Sequence, residues 1–216
     1  MATPSAPDDT FFRRDPVDAA AELLNKLLAG PDGRVGRIVE VEAYRGHTDE
    51  ASHACRGPTV RNRSMFGPPG TLYVYRSYGV HWCANVVMRS GDEAGAVLLR
   101  AADAVGGLDA MRDARWRHRS PGSDRDLCRG PGRLCRALGI DGSHDGVDLR
   151  RSAGEIRLLD DGTPPPSNPL VGPRVGISRA VDLPWRFAIR GHRAVSGPRT
   201  PNSARSSQGV APGGVH

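Results

Sequence analysis

Lysine is almost missing from this chain: thirty residues are basic, and Lys26 is the single lysine among 216 residues. A Schiff-base nucleophile therefore has one side-chain candidate, on an amphipathic segment far in sequence from the acids and aromatics. Cysteine is scarce too, at positions 55, 83, 128 and 135 with no Cys-x-x-Cys, whereas zinc sites normally use closer ligand pairs. Apolar runs stay well short of the roughly twenty residues of a membrane span, and the polar start MATPSAPDDT is no signal peptide. We therefore expect reduced thiols, no metal or other cofactor, no membrane and a cytoplasmic place, nucleoid-associated in a prokaryote or nuclear in a eukaryote.

Composition adds a bound on size and partner. The length suffices for one good core plus tails. Hydrophobic residues make up only 38%, and 27 Gly with 18 Pro imply many turns. A net charge of +6 and a sequence pI near 9.7 suit a polyanion such as nucleic acid. Genomic bias toward arginine accounts for that charge equally well.

Along the chain, residues 1–10 read as a disordered leader. Asp15-Pro16 is an N-cap and first helical position. Val17, Ala20, Ala21, Leu24, Leu27 and Leu28 then predict a helix closed by Gly30-Pro31. From Gly33 the pattern becomes strand-like, with Ile38, Glu40 and Glu42 on one face and Val39, Val41 and Ala43 on the other. A long polar loop spans 45–69, a length usually functional or disordered. Strands are expected at 71–78, 81–88, 96–101 and 185–190, and helices near 107–117 and 130–138. Residues 193–216 carry three arginines and no acid and read as a disordered tail. Strands early and helices in a block argue for a single α+β domain over residues 11–192.

Chemistry concentrates between Ile38 and Arg100. Glu42 is a carboxylate in an apolar strand, and Arg100 in VLLRA is a natural counter-ion; the pair could activate a water or be an ordinary ion pair between strands. Tyr44 and His53 flank the loop after Glu42, suited to stacking on a base and bonding its edge. Tyr75 and Tyr78 suit stacking or insertion into a duplex, but their odd separation needs a turn or bulge near Ser77 to bring both to one cleft. Asn85 is a compact amide in the strand WCANVV, able to discriminate ring substituents. Arg56, Arg61 and Arg63 surround Asn62 and suit phosphate contacts, although a solvated loop would look the same. The pair His53 and Cys55 is the nearest approach to a metal cluster. A zinc base deaminase would need a glutamate two residues after the histidine and a Pro-Cys-x-x-Cys, both missing.

With these residues assembled, the chain resembles the alkyladenine (3-methyladenine) DNA glycosylases of the mammalian type. The matching stretches are EAYRG, DEASH, RNRSMF, PGTLYVYRSYG, CANVV, VLLRA, LCRGPGRLCRALGI and PRVGISRAVDLPWRF, in unbroken order over about residues 12–192. The resemblance implies one α+β domain on a curved, mainly antiparallel sheet flanked by helices, acting as a monomer on double-stranded DNA containing damaged purines. It implies a monofunctional enzyme that flips an alkylated or deaminated purine and hydrolyses its N-glycosidic bond. Glu42 falls on the general base, Arg100 on the arginine that helps position the water, and Val175 on a backbone carbonyl that contacts the water. Tyr44, His53 and Tyr75 fall on residues holding the flipped base, Tyr78 on the wedge, and Asn85 on the side chain that opposes the guanine amino group. His81-Trp82 departs from the aromatic pair expected after the wedge, which bears on lesion preference. A non-catalytic damaged-DNA-binding module is the alternative; it would keep the basic loop and wedge but would not need Glu42 paired with Arg100.

Overall fold

The alternating segment VGRIVEVEAY becomes the strand around which the sheet is organised. The computed structural model describes residues 3–118, 120–151 and 154–197. Helices α1 (Asp9–Phe12) and α2 (Pro16–Ala20) lead into β1 (Leu27–Ala29) and β2 (Val35–Tyr44). Strands β3 (Leu72–Ser77), β4 (His81–Ser90) and β5 (Glu93–Gly106) follow, then helices α3 (Leu108–Trp116) and α4 (Pro131–Leu138). Three short strands close the domain: β6 (Arg157–Leu159), β7 (Leu170–Gly172) and β8 (Arg186–Ala188).

The sheet runs β3-β4-β5-β2-β1-β6, antiparallel throughout, and curls into a half-barrel. Strand β8 pairs with Glu40–Glu42, beyond the stretch of β2 that β1 occupies, and β7 pairs with β8. Strand alternation then divides the labour. Val41, Ala43, Leu72, Val74, Ala84, Val86, Val97 and Leu99 face the main core, shared with Phe12, Leu23, Met111 and Leu134 from the helical segments. Their neighbours Glu42, Tyr44, Tyr73, Tyr75, Cys83, Asn85, Leu98 and Arg100 are left for the opposite face.

Three expectations about these elements are corrected. The long helix from Pro16 to Leu28 stops at Ala20, passes through a 3-10 turn at Ala21–Leu23, and gives way to β1. Asn25 takes a left-handed φ of 72°, and Leu27–Ala29 find strand partners on both sides, which override helical spacing. Gly30 belongs to the β1–β2 hairpin; a Cβ there would lie 2.3 Å from the carbonyl oxygen of Leu138. The face assignment in β2 also fails at its start. The register slips on either side of Glu40, so Ile38 joins Val41 and Ala43 in the core while Val39 packs with Ala101 and Ala194 on the other side.

Both ends of the domain extend further than composition suggested. Ser5 exchanges backbone hydrogen bonds with Asp160, and Asp8 caps α1 by accepting from the amide of Phe11. Ala194 and Ser196 are buried, with Arg129 donating to the carbonyl of Val195. The rest of the expected leader and tail, residues 1–2 and 198–216, lies outside the described residues. Among those described, no helix is long and apolar enough to cross a membrane.

Candidate active site

Glu42 is fully buried on the face of the sheet opposite the core, and three groups hold its carboxylate. The Tyr44 hydroxyl donates to Oε2 at 2.9 Å, and the amide of Val175 donates to Oε1 at 2.7 Å. Arg100 Nη1 lies 3.1 Å from the same Oε1. Burial, then the neighbouring Glu42 charge, pushes the Tyr44 phenol well above its ordinary value, so it stays a donor. Burial opposes the charge on Arg100, but Glu42 and Glu40 outweigh it and raise that guanidinium's pKa. The carboxylate is therefore supported as an anion in a site where an unsupported one would be costly.

A cavity of about 760 Å³ opens in front of this carboxylate system. All four tyrosines of the chain line it, with His53, Asn85 and Arg100. Tyr73 and Tyr75 stack at 5.5 Å, and the His53 ring meets Tyr75 edge-on at 4.4 Å. His53 Nδ1 is 2.8 Å from the Tyr73 hydroxyl. Burial and, after it, the Arg61 charge lower the His53 pKa, favouring neutral imidazole. Asn85 is buried opposite Tyr73 and donates its amide to the Tyr73 carbonyl at 3.0 Å. The walls thus offer electron-rich aromatic faces and a polar edge, which suits a flat, electron-poor ring.

Tyr78 stands at the rim. It is 88% exposed at the turn between β3 and β4, where it and Gly79 both have positive φ, 48° and 68°. The amide of Val80 closes the turn on the Ser77 carbonyl. This is the turn that the odd spacing of Tyr75 and Tyr78 required. An exposed aromatic on a strained tip packs against nothing that would explain it as core.

The sequence profile described as "Methylpurine-DNA glycosylase (MPG)" matches residues 10–193. The chain belongs to the methylpurine-DNA glycosylase family. A protein named "Putative 3-methyladenine DNA glycosylase" from Burkholderia lata is 53% identical over 190 residues, spanning 88% of this chain and 90% of that one. One of the same name from Burkholderia cenocepacia is 51% identical over 187 residues, with 87% and 89% covered. Another, from Nitrobacter winogradskyi, is 46% identical over 188 residues, with 87% and 86% covered. The protein is accordingly a DNA glycosylase of base excision repair, a hydrolase acting on N-glycosyl bonds with damaged DNA as substrate.

In this methylpurine-DNA glycosylase, seven of the residues singled out from sequence meet around one cavity: Glu42 through its neighbours, and Tyr44, His53, Tyr75, Asn85, Arg100 and Val175 directly. Tyr78 reaches the same rim. Val175 contacts Glu42 through its amide. The three loop arginines are all exposed, and Arg61 also donates to the Arg76 carbonyl at 2.8 Å and lines the cavity. Asn62, between them, is buried and braces the loop by donating to the carbonyls of His53 and Gly57. Among the described residues, no three His, Cys, Asp or Glu side chains are placed to hold a metal ion; the Cys55 thiol bonds to the His47 carbonyl.

Sequence reasoning gave no role to six participants. Tyr73 shares the face of Tyr75 by simple alternation and was legible. Glu40 was placed on the face of Glu42, yet its partners Arg186 and Ser196 lie about 150 residues away in sequence and gave no local signal. Asp49 and Arg174 form a fully buried bidentate pair behind Tyr44, at 2.6 and 2.9 Å, with the Arg174 guanidinium 4.6 Å above the Tyr44 ring. Only their presence in DEASH and PRVGIS hinted at them.

Proposed function

We propose that this glycosylase flips an alkylated or deaminated purine into the cavity and hydrolyses its N-glycosidic bond with a water activated by Glu42. The observation that carries the reading is the buried Glu42 carboxylate, held by Tyr44, Val175 and Arg100 at the cavity lined by four tyrosines. As the C1′–N bond stretches, positive charge grows on the sugar, and a fixed anion nearby stabilises it. Water oxygen bonds to C1′, its proton goes to Glu42, and the purine leaves with the bonding pair. A purine alkylated to a cation departs neutral; a neutral deaminated purine takes a proton from solvent.

The remaining roles follow from position. Tyr44, His53 and Tyr75 sandwich the flipped ring, Asn85 reads its edge, and Tyr78 fills the space left in the duplex. Arg56 and Arg63 contact backbone phosphates, with Arg61 at the cavity rim tying the loop to the hairpin. The enzyme acts as a monomer, wherever the cell keeps its DNA. A binding-only module has no need of the buried Glu42–Arg100 pair. Glu42→Gln tests the reading: excision should fall about 100- to 10,000-fold with lesion binding largely retained. Excision within threefold of wild type would sink it.

A further inference from the structure

Glu40 is as deeply buried as Glu42, but none of its hydrogen-bond partners except Arg100 lines the cavity, and the hydrolysis described above leaves it without a task. Its Oε1 accepts from Arg100 Nε at 2.9 Å and from Arg186 Nε at 2.7 Å. Its Oε2 accepts from the amide of Ser196 at 2.5 Å. Arg186 also donates to the Ser196 carbonyl, and Arg100 Nη2 to the Ser196 hydroxyl. Each nitrogen of the Arg100 guanidinium thus has a partner: Nε has Glu40, Nη1 has Glu42 and Nη2 has Ser196. Two carboxylates and two guanidiniums, none more than 8% exposed, form a closed and formally neutral set.

A plain ion pair would have needed only one arginine and one glutamate. Alone with Arg100, Glu42 would be bound more tightly as an anion and would be a poorer acceptor for a proton from water. Glu40 divides the charge of Arg100 between two carboxylates. The bulge around Glu40 makes this geometry possible by turning Ile38 into the core while leaving Glu40 toward Arg100.

We propose that Glu40, with Arg186 and the segment at Ser196, is a positioning residue for base excision. Through the shared Arg100 it fixes where that guanidinium sits and how much of its charge Glu42 feels. The inference rests on the reading of Glu42 as general base. Residues that face Glu42 from the packed elements are Tyr44 on β2, Tyr75 on β3, Cys83 on β4, Arg100 on β5 and Arg186, its register partner on β8. Burial raises the phenols of Tyr44 and Tyr75 and the Cys83 thiol, so none of these three adds charge across the working range. The balance is set by the two arginines and Glu40.

The test is single-turnover excision from a duplex carrying hypoxanthine, followed from about pH 4 to pH 8 with folding checked by thermal melts. Glu40→Gln removes one negative charge, so the acid limb of the rate profile should move down by about one pH unit and the plateau rate should drop about tenfold or more. Lesion affinity should stay within about threefold, since Arg100 alone among the partners of Glu40 lines the cavity. Arg186→Gln removes a positive charge and should move the limb upward; the double variant should return it toward wild type, which loss of packing cannot do. If Glu40→Gln does not fold, the Arg186→Gln limb decides alone. Acid limbs that coincide with wild type in the folded variants, while Glu42→Gln is inactive, overturn this inference. An active Glu42→Gln would instead overturn the general-base reading beneath it.

Discussion

Arg174 clasps Asp49 with both terminal nitrogens, at 2.6 and 2.9 Å, in a position where neither side chain reaches solvent. The same guanidinium lies between the rings of Tyr44 and Trp185, 4.6 and 5.0 Å from their centroids, and donates to the Ala43 carbonyl. It therefore joins the Asp49 loop to the strand carrying Glu42 and to the loop whose Val175 amide grips Glu42. Removing one partner leaves a buried charge alone. Asp49→Asn should destabilise the protein by about 3–5 kcal/mol, measured by urea denaturation. A change below about 1 kcal/mol would mean that water enters and screens Arg174.

Tyr78 should behave in the opposite way. Its backbone sits at a positive φ that disfavours any residue with a Cβ, and its ring is almost wholly in solvent. Tyr78→Gly relieves the strain and loses little packing, so folding stability should rise or stay within about 1 kcal/mol of wild type. Binding to a duplex with a flipped lesion should weaken by about 1–3 kcal/mol, the usual worth of one stacked base. A gain in stability without a loss of lesion affinity would make the tyrosine an ornament of the turn.

These two residues show what could be read from the chain. The turn carrying Tyr78 was legible because it is a local event, and the aromatic wall because alternation alone puts Tyr73 and Tyr75 together. The antiparallel α+β plan and the Glu42–Arg100 pairing also followed from strand pattern and resemblance. What stayed hidden depends on distant partners. Leu27 and Leu28 fit a helix until β2 and β6 claim their backbone, and the parity of β2 is right for Glu40 and Glu42 but wrong for Ile38 because a bulge carries no sequence signal of its own. Residues 194–196 looked like tail since their anchor, Glu40, is a buried carboxylate on the far side of the chain.

Lys26 predicts the chemistry of the product. The single lysine is nearly buried, pairs with Asp160 at 2.6 Å, and precedes β1, outside the residues that line the cavity. No lysine can therefore attack C1′, and the reaction should end at an intact abasic site. Borohydride should trap no protein–DNA adduct, and Lys26→Arg should excise within about threefold of wild type. A trapped adduct that disappears in Lys26→Arg would replace water by lysine as the nucleophile.

Asn85, which we propose reads the edge of the flipped base, offers a test of substrate choice. It lies across from Tyr73 on β3 and Leu98 on β5, with its amide nitrogen held by the Tyr73 carbonyl, so the group cannot swing away from an unwelcome substituent. A purine with an exocyclic amine at the guanine position would meet this fixed group, whereas adenine-type lesions lack the amine. Asn85→Ser shortens the side chain and should raise excision of guanine-derived bases by about 10- to 200-fold relative to adenine-type lesions. The comparison needs both duplexes, wild type and variant, at one salt concentration, because the arginine contacts respond to ionic strength. Equal changes for both bases would show that Asn85 braces the Tyr73 strand and does not select the base.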